Sequence, residues 1–193
     1  MNSIERAAAA IRSGALVVYP TETVYGLAAD ALSPAAIERA FEAKGRARGR
    51  PLSMAVPDGE TAREYTRLTE RERAFVERFL PGPVTVVVER GPELPDELTG
   101  GRDRVGIRIP DHPVALALLA EVAPITATSA NRSGGANARR AEDLDPTIRE
   151  RSEVVLDGGT LAGTESTVVD VEMGEIHRQG EIADEVEQWL ADH

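Results

Sequence analysis

Cysteine is absent from this 193-residue chain, which excludes disulfides, a thiol nucleophile and any cysteine-ligated metal centre. Lysine is almost absent: among 22 basic residues only Lys44 is a lysine, and the other 21 are arginine. Long apolar runs are missing as well. No stretch approaches the roughly 18 residues that a membrane helix needs, and the opening MNSIERAAAAIRSG places charge where the core of a secretion signal would run. The expectation is a soluble, cytoplasmic protein with no membrane role. Positive charge is in deficit, with 33 acidic residues against 22 basic ones and a formal net charge of −11. That balance argues against a surface built for non-specific nucleic-acid binding, so a polyanion must meet a local patch. An acidic, lysine-poor composition also fits solubility in high salt.

The common phosphate-handling motifs are missing too. A Walker A loop places its lysine after glycine and before Ser or Thr, whereas Lys44 stands between Ala43 and Gly45. No Gly-x-Gly-x-x-Gly follows a strand, so the dinucleotide fingerprint is absent. His112, His177 and His193 lie far apart and lack the carboxylate spacing of a metal site, and no protein-built metal centre is expected.

What is present alternates in period. Residues 3 to 13 have helical spacing at Ile4, Ala7, Ala8 and Ile11, with Gly14 as a stop. ALVVYP then reads as a buried strand ended by Pro20. Ser33 as N-cap and Pro34 at the first helical position open a helix that closes at Gly45, leaving Lys44 at its C-terminus beside a loop. LSMAV and VTVVVE read as strands, and between them Thr69 with Glu72 forms a capping box for ERERAFVERFL. Residues 90 to 103 read as a surface loop. RVGIRIP is a strand, VALALLAEV a helix capped by Asp111 and Pro113, and PITATS a strand. A helix near 141 to 150, a strand EVVLD, a hairpin of STVVDVE and GEIHRQ, and a terminal amphipathic helix complete the chain. There is no repeat or low-complexity linker. The pattern predicts one α/β domain over residues 1–193, with a twisted mixed sheet carrying helices on its faces.

Four polar clusters sit at the edges of apolar strands. PTET (20 to 23) follows a buried strand, where α/β sheets commonly place ligands, although a turn with locally bonded threonines reads the same way. KGRARGRP gathers four cations in an acidic protein, where an ordinary charge run would be solvated. TATSANRSGG offers hydroxyls, an amide and glycines that let a backbone approach phosphate, or simply a flexible loop. GTESTVVD sets Glu165 and Ser166 before a strand, with Arg178 on the partner strand; without a nucleophile elbow Ser166 is weak evidence for covalent chemistry. Lys44 differs from the surrounding arginines as a compact point charge with three rotatable donors, suited to phosphate or carboxylate in a tight pocket.

Taken in order, YPTETVYGLAADA, KGR followed by PL, PGPVTVVV, VGIRIPDHP, TSANRSG, GTESTVVD and RQG resemble the successive motifs of the YrdC/TsaC family, the threonylcarbamoyl-adenylate synthases, over residues 4 to 182. The resemblance implies a YrdC-like sheet with a concave active face. It implies a nucleotidyltransferase that converts L-threonine, bicarbonate or CO2 and ATP to threonylcarbamoyl-AMP and pyrophosphate for tRNA modification, with Mg²⁺ bound mainly through the ATP phosphates. A downstream tRNA threonylcarbamoyl-transfer complex would be the partner. Carried over by motif, Lys44, Arg46, Ser129 and Asn131 are the expected catalytic residues. Thr23, Arg108, Ala127 and Ser166 are the expected L-threonine pocket. Arg46, Arg50, Arg104, Ser129, Asn137 and Arg178 are the expected nucleotide contacts. The sequence departs from the family pattern at Ala47, Arg50, Asn137 and Gln179, and ending at His193 it is similar to short members without a C-terminal extra domain. The alternative is a double-stranded RNA or tRNA-binding module without adenylation, binding weakly through residues 46 to 50 with Arg139 and Arg140 on the concave face.

Overall fold

The computed structural model describes residues 2–193. The first helix, α1 (Ser3–Arg12), is closed at its N-terminus by a capping box between Asn2 and Glu5. It leads into β1 (Leu16–Tyr19) and, after the PTET turn, β2 (Gly26–Ala28). Helix α2 (Pro34–Lys44) lies between the Ser33 cap, whose side chain accepts from Ala36 N, and Gly45. Then follow β3 (Ser53–Ala55), α3 (Gly59–Tyr65), β4 (Thr66–Arg67) and α4 (Glu70–Phe79) with its Thr69–Glu72 capping box. β5 (Val84–Arg90), α5 (Asp96–Thr99), β6 (Arg104–Arg108), α6 (Pro113–Glu121) and β7 (Ile125–Ser129) form the middle. The last part holds a 3₁₀ turn (Ala141–Asp143), α7 (Pro146–Arg151), β8 (Ser152–Val155), the antiparallel pair β9 (Thr167–Asp170) and β10 (Glu175–Arg178), and α8 (Ala183–Asp192).

All ten strands join one sheet in the order β10-β9-β5-β6-β3-β7-β2-β1-β8, with β4 beside β5. The pairs β1–β8, β3–β6 and β5–β9 are parallel and the others antiparallel, so the sheet is mixed as the sequence pattern predicts.

Period-2 alternation gives the sheet two faces of different chemistry. Val84, Val86 and Val88 of β5 and Val105 and Ile107 of β6 point into a core with α2 and α4, and α8 closes it by setting Trp189 edge-on to Phe75 at 5.0 Å. Such an aromatic pair adds about 0.5–1.5 kcal/mol beyond its buried area. On the other face, α1 and α6 pack on Val17, Ala28, Ala55 and Ile125. They cover only that part of the sheet. The uncovered remainder presents Tyr19, Gly26, Ser53, Gly106 and Ala127, and becomes the floor of a cleft.

At three places the structure differs from the sequence pattern. The cap of α6 is His112, whose Nδ1 accepts from Val114 N at 3.2 Å, while the Asp111 amide donates to Glu22 instead. The segment 141 to 150 is two pieces, because Pro146 opens a new helix behind the Asp145 cap. Residues 90 to 103 are not merely surface, since Leu94, Leu98 and Thr99 are buried around α5. The short elements β2, α3 and β4 are additions, each too brief to establish a period.

Candidate active site

The cleft encloses about 440 Å³. Its floor is built from small residues at matching register: Ala127 pairs with Ser53, and Gly106 lies on the neighbouring strand. A Cβ on Gly106 would stand 2.4 Å from Ser53 Oγ and 2.8 Å from a Thr85 methyl, so glycine here keeps the floor open. Around this floor stand Arg46, Arg102, Arg104, Arg108 and Arg178, with Glu165 as the one carboxylate in the lining. In a chain of net charge −11 this is a strongly positive concavity, suited to a polyanion or to carboxylates.

One end is organised by Arg108, the last residue of β6. Its Nη2 donates to Glu22 Oε1 at 2.8 Å and to Thr23 Oγ1 at 2.7 Å. Glu22 is held in turn by the Asp111 amide at 3.2 Å. Thr21 donates its hydroxyl proton to Val24 O at 2.6 Å, so Thr23, 3.0 Å away, gives its own proton to Thr21 Oγ1 and accepts from the arginine. Arg108 and Glu22 are only 13% and 16% exposed, and Arg108 Nε is buried without a partner among the described residues. A donor left unpaired in a buried place costs about 1–3 kcal/mol unless a ligand meets the group. Tyr19 lies beside this pair, and burial pushes its phenol up to about 12, with Arg108 opposing and Glu22 reinforcing the rise. It remains a neutral hydroxyl at physiological pH.

The second cluster joins the end of α2 to the end of β7. Lys44 is 2% exposed, and its Nζ donates to the carbonyl of Ser129, to the carbonyl of Asn131 at 2.8 Å and to Asn131 Oδ1 at 3.3 Å. Burial, then the charge of Arg46, pushes its pKa down to about 8. All three neighbours can only accept, so the ammonium is the form that fits. This answers why the position is lysine: three convergent acceptors match a tetrahedral ammonium and not a planar guanidinium. Asn131 also donates from Nδ2 to Gly135 O at 2.6 Å, fixing the loop.

Arg46 lies across the cleft mouth, with Nε donating to Arg50 O and Nη2 to Pro51 O, both at 3.0 Å. Burial, followed by the charges of Arg50 and Arg178, lowers its pKa. Arg178 donates from Nε to Ser166 O at 2.9 Å and from Nη2 to Ser166 Oγ at 2.8 Å, and burial lowers its pKa as well. Arg104 is anchored by Asp170 Oδ2 at 2.6 Å and Val87 O at 2.8 Å.

Of the expected residues, Thr23, Arg46, Arg104, Arg108, Ala127, Ser129, Asn137, Ser166 and Arg178 line the cleft together. Lys44 and Asn131 lie behind Ser129 and do not face the cavity. The Arg50 side chain is exposed and lies outside the lining. Arg139 donates to Leu161 O at 3.2 Å, and Arg140 pairs with Glu142 and Asp143 beside a separate depression, so these two add no basic stripe to the cleft. Tyr19, Ser53, Gly106 and Arg102 were not expected there. The alternation Arg-Val-Gly-Ile-Arg in β6 was the available signal, since residues two apart share a face. Among the described residues no group of three or more His, Cys, Asp or Glu is placed to hold a metal, and no helix is long and apolar enough to cross a membrane.

Comparison with known proteins agrees with this geometry. A family model for Sua5, YciO and YrdC, described as telomere recombination, matches residues 9–180. The chain is 41% identical over 171 residues to the threonylcarbamoyl-AMP synthase of Pyrococcus abyssi, covering 87% of this chain and 50% of that one. It is 40% identical over 170 residues to the Bacillus subtilis protein of the same name, covering 86% of this chain and 49% of that one. It thus spans about half the length of these relatives. The crystal structure of P. abyssi Sua5 complexed with L-threonine superposes with a TM-score of 0.88 at 38% identity, over 96% of this chain and 56% of that one. By the family model, which matches most of its length, the chain belongs to the Sua5/YciO/YrdC family.

Proposed function

We propose that this chain is an L-threonylcarbamoyladenylate synthase, which makes threonylcarbamoyl-AMP and pyrophosphate from L-threonine, bicarbonate and ATP for the modification of tRNA. The observation that carries the reading is the Arg108 end of the cleft. A nearly buried guanidinium with an unpartnered Nε stands among Thr23 and other hydroxyls, in a chain 38% identical to a Sua5 crystallised with L-threonine. The substrate carboxylate pairs with Arg108, and Thr23, Ser166 and the main chain at Ala127 fix its orientation.

The arginines supply the electrostatics of adenylation. Arg178 lies close enough to Arg46 to depress its proton affinity, and a triphosphate relieves that repulsion while gaining charge-assisted hydrogen bonds. As the carbamate oxygen attacks the α-phosphate, Arg46 and Ser129 face the charge that develops there. Lys44 acts from behind, holding the Ser129–Asn131 backbone where these groups must stand. With one carboxylate in the lining, the donor set fits Mg²⁺ carried mainly by the nucleotide's own phosphates, and the ion would neutralise charge on them. No covalent enzyme intermediate is needed. The product would pass to a tRNA threonylcarbamoyl-transfer complex.

Pyrophosphate release from ATP and bicarbonate tests this, with and without L-threonine and with L-serine as control. Release that depends on threonine is expected. Folded protein with no threonine-dependent release refutes the reading, and RNA binding of steep salt dependence without turnover would put the RNA-binding module in its place.

A further inference from the structure

The lining of the cleft is lopsided: five arginines and, among the described residues, a single carboxylate, Glu165, since the nearby Glu22 is engaged by Arg108 and by the Asp111 amide. An amino acid entering it must lose a proton, because an ammonium nitrogen has no electron pair with which to attack carbon. Five guanidinium groups disfavour the ammonium form, yet none of them accepts a proton at neutral pH.

Glu165 is mounted between the two expected substrate regions. Its neighbour Ser166 is 4% exposed and receives Arg178 on Oγ at 2.8 Å. On the other side, Asn137 Nδ2 approaches Glu165 Oε1 at 3.5 Å, the long contact that is this carboxylate's hydrogen bond. The main chain, by contrast, is clamped. Glu165 O accepts from Glu181 N at 3.0 Å, and Thr167 N donates to Pro83 O at 2.9 Å. A rigid backbone thus presents an exposed, weakly engaged carboxylate. Arg178 from β10 feels its charge directly, and Arg46, Arg102, Arg104, Arg108 and His177 share the cleft. The Glu181 carboxylate is turned to Thr164 Oγ1 at 2.6 Å and does not compete.

We propose that Glu165 is a catalytic residue, the base that takes the proton from the α-ammonium group of the amino-acid substrate; this rests on the synthase reading above. The N–H bond breaks and the proton goes to a Glu165 carboxylate oxygen. The freed electron pair forms the C–N bond to the carbon of bicarbonate. The C–OH bond then breaks, and hydroxide leaves as water with the second proton of the nitrogen, giving the carbamate. Glu165 later returns its proton to solvent.

The test is Glu165→Gln, followed as threonine-dependent pyrophosphate release across pH. Wild-type release comes first, and its absence would refute the synthase reading itself. General-base catalysis contributes about 10²–10⁴-fold, so kcat of the variant should fall at least about 100-fold at pH 7. The deficit should shrink as pH rises, because the amine then reaches the site already deprotonated. Glu165→Asp should recover part of the rate, KM for ATP should change less than about threefold, and the melting temperature should not move. A rate within about threefold of wild type at pH 7, a deficit constant with pH, or an effect confined to the KM for ATP would each overturn the role.

Discussion

Replacing Lys44 by methionine separates the burial of its charge from the packing of its stem. Methionine keeps the unbranched length and removes the ammonium, and with it the bonds to Ser129 O, Asn131 O and Asn131 Oδ1. In the unfolded chain the amine titrates near 10.5, and in the folded protein near 8. Because the folded value is the lower one, the unfolded chain binds more protons between those limits. Wild-type stability must therefore rise with pH through that window, by about 1.4 kcal/mol per pH unit. The interval from 8 to 10.5 is worth about 3 kcal/mol. The methionine variant lacks the group, so the stability difference between wild type and variant should widen by that amount from pH 7 to 10.5. At pH 7, three charge-assisted bonds of about 1.5–3 kcal/mol each oppose a burial cost of about 3 kcal/mol, so the variant should be about 1.5–6 kcal/mol less stable. Urea unfolding followed by circular dichroism at pH 7, 8, 9 and 10 measures both quantities. A difference that stays flat with pH would refute the argument, since the three acceptors would then have restored the amine to its ordinary proton affinity.

Arg108→Lys should raise KM for L-threonine by about 10- to 100-fold and leave KM for ATP unchanged, because an ammonium point charge lacks the planar fork that pairs with a carboxylate through two parallel bonds; steady-state kinetics with each substrate varied decides it. Gly106→Val places a side chain against Ser53 and Thr85 on the cleft floor and should cost about 1–3 kcal/mol, lowering the melting temperature by about 2–4 °C per kcal/mol and abolishing nucleotide binding by calorimetry. Gly180→Ala would set its Cβ 2.3 Å from Thr167 N and 2.4 Å from Glu165 O. These are main-chain atoms that cannot rotate away, so thermal unfolding should show a loss of about 2 kcal/mol or more, and turnover should fall as Glu165 and Ser166 shift.

Elements with caps were legible from sequence, because a cap is a local chemical event. Ser33 with Pro34, and Thr69 with Glu72, each satisfy orphan amides within one turn, and α2 and α4 start where those residues stand. The three-residue strand β2 and the two-residue β4 carry no period of their own and exist because neighbouring strands offer them partners. His112 stands directly before Pro113 and its Nδ1 accepts from Val114 N, so it is the cap, while the Asp111 amide reaches Glu22, 89 residues away in the chain.

The site divides the same way. Hydroxyls, amides and glycines announced the cleft, but the roles of Glu22 and Lys44 depend on partners far along the chain. Glu22 reads as one acid in a polar turn until Arg108 reaches it from β6. Lys44 stood out by its uniqueness, and composition suggested a pocket; its ammonium instead supports the pocket wall from behind. The two facts have one cause. The cleft is lined by guanidinium groups, and the strand end carrying Ser129 turns carbonyls away from it, where a fork of five donors has no room. A single compact cation satisfies those carbonyls and leaves the arginines to face the ligand, so the chain can dispense with lysine elsewhere and still require it at position 44.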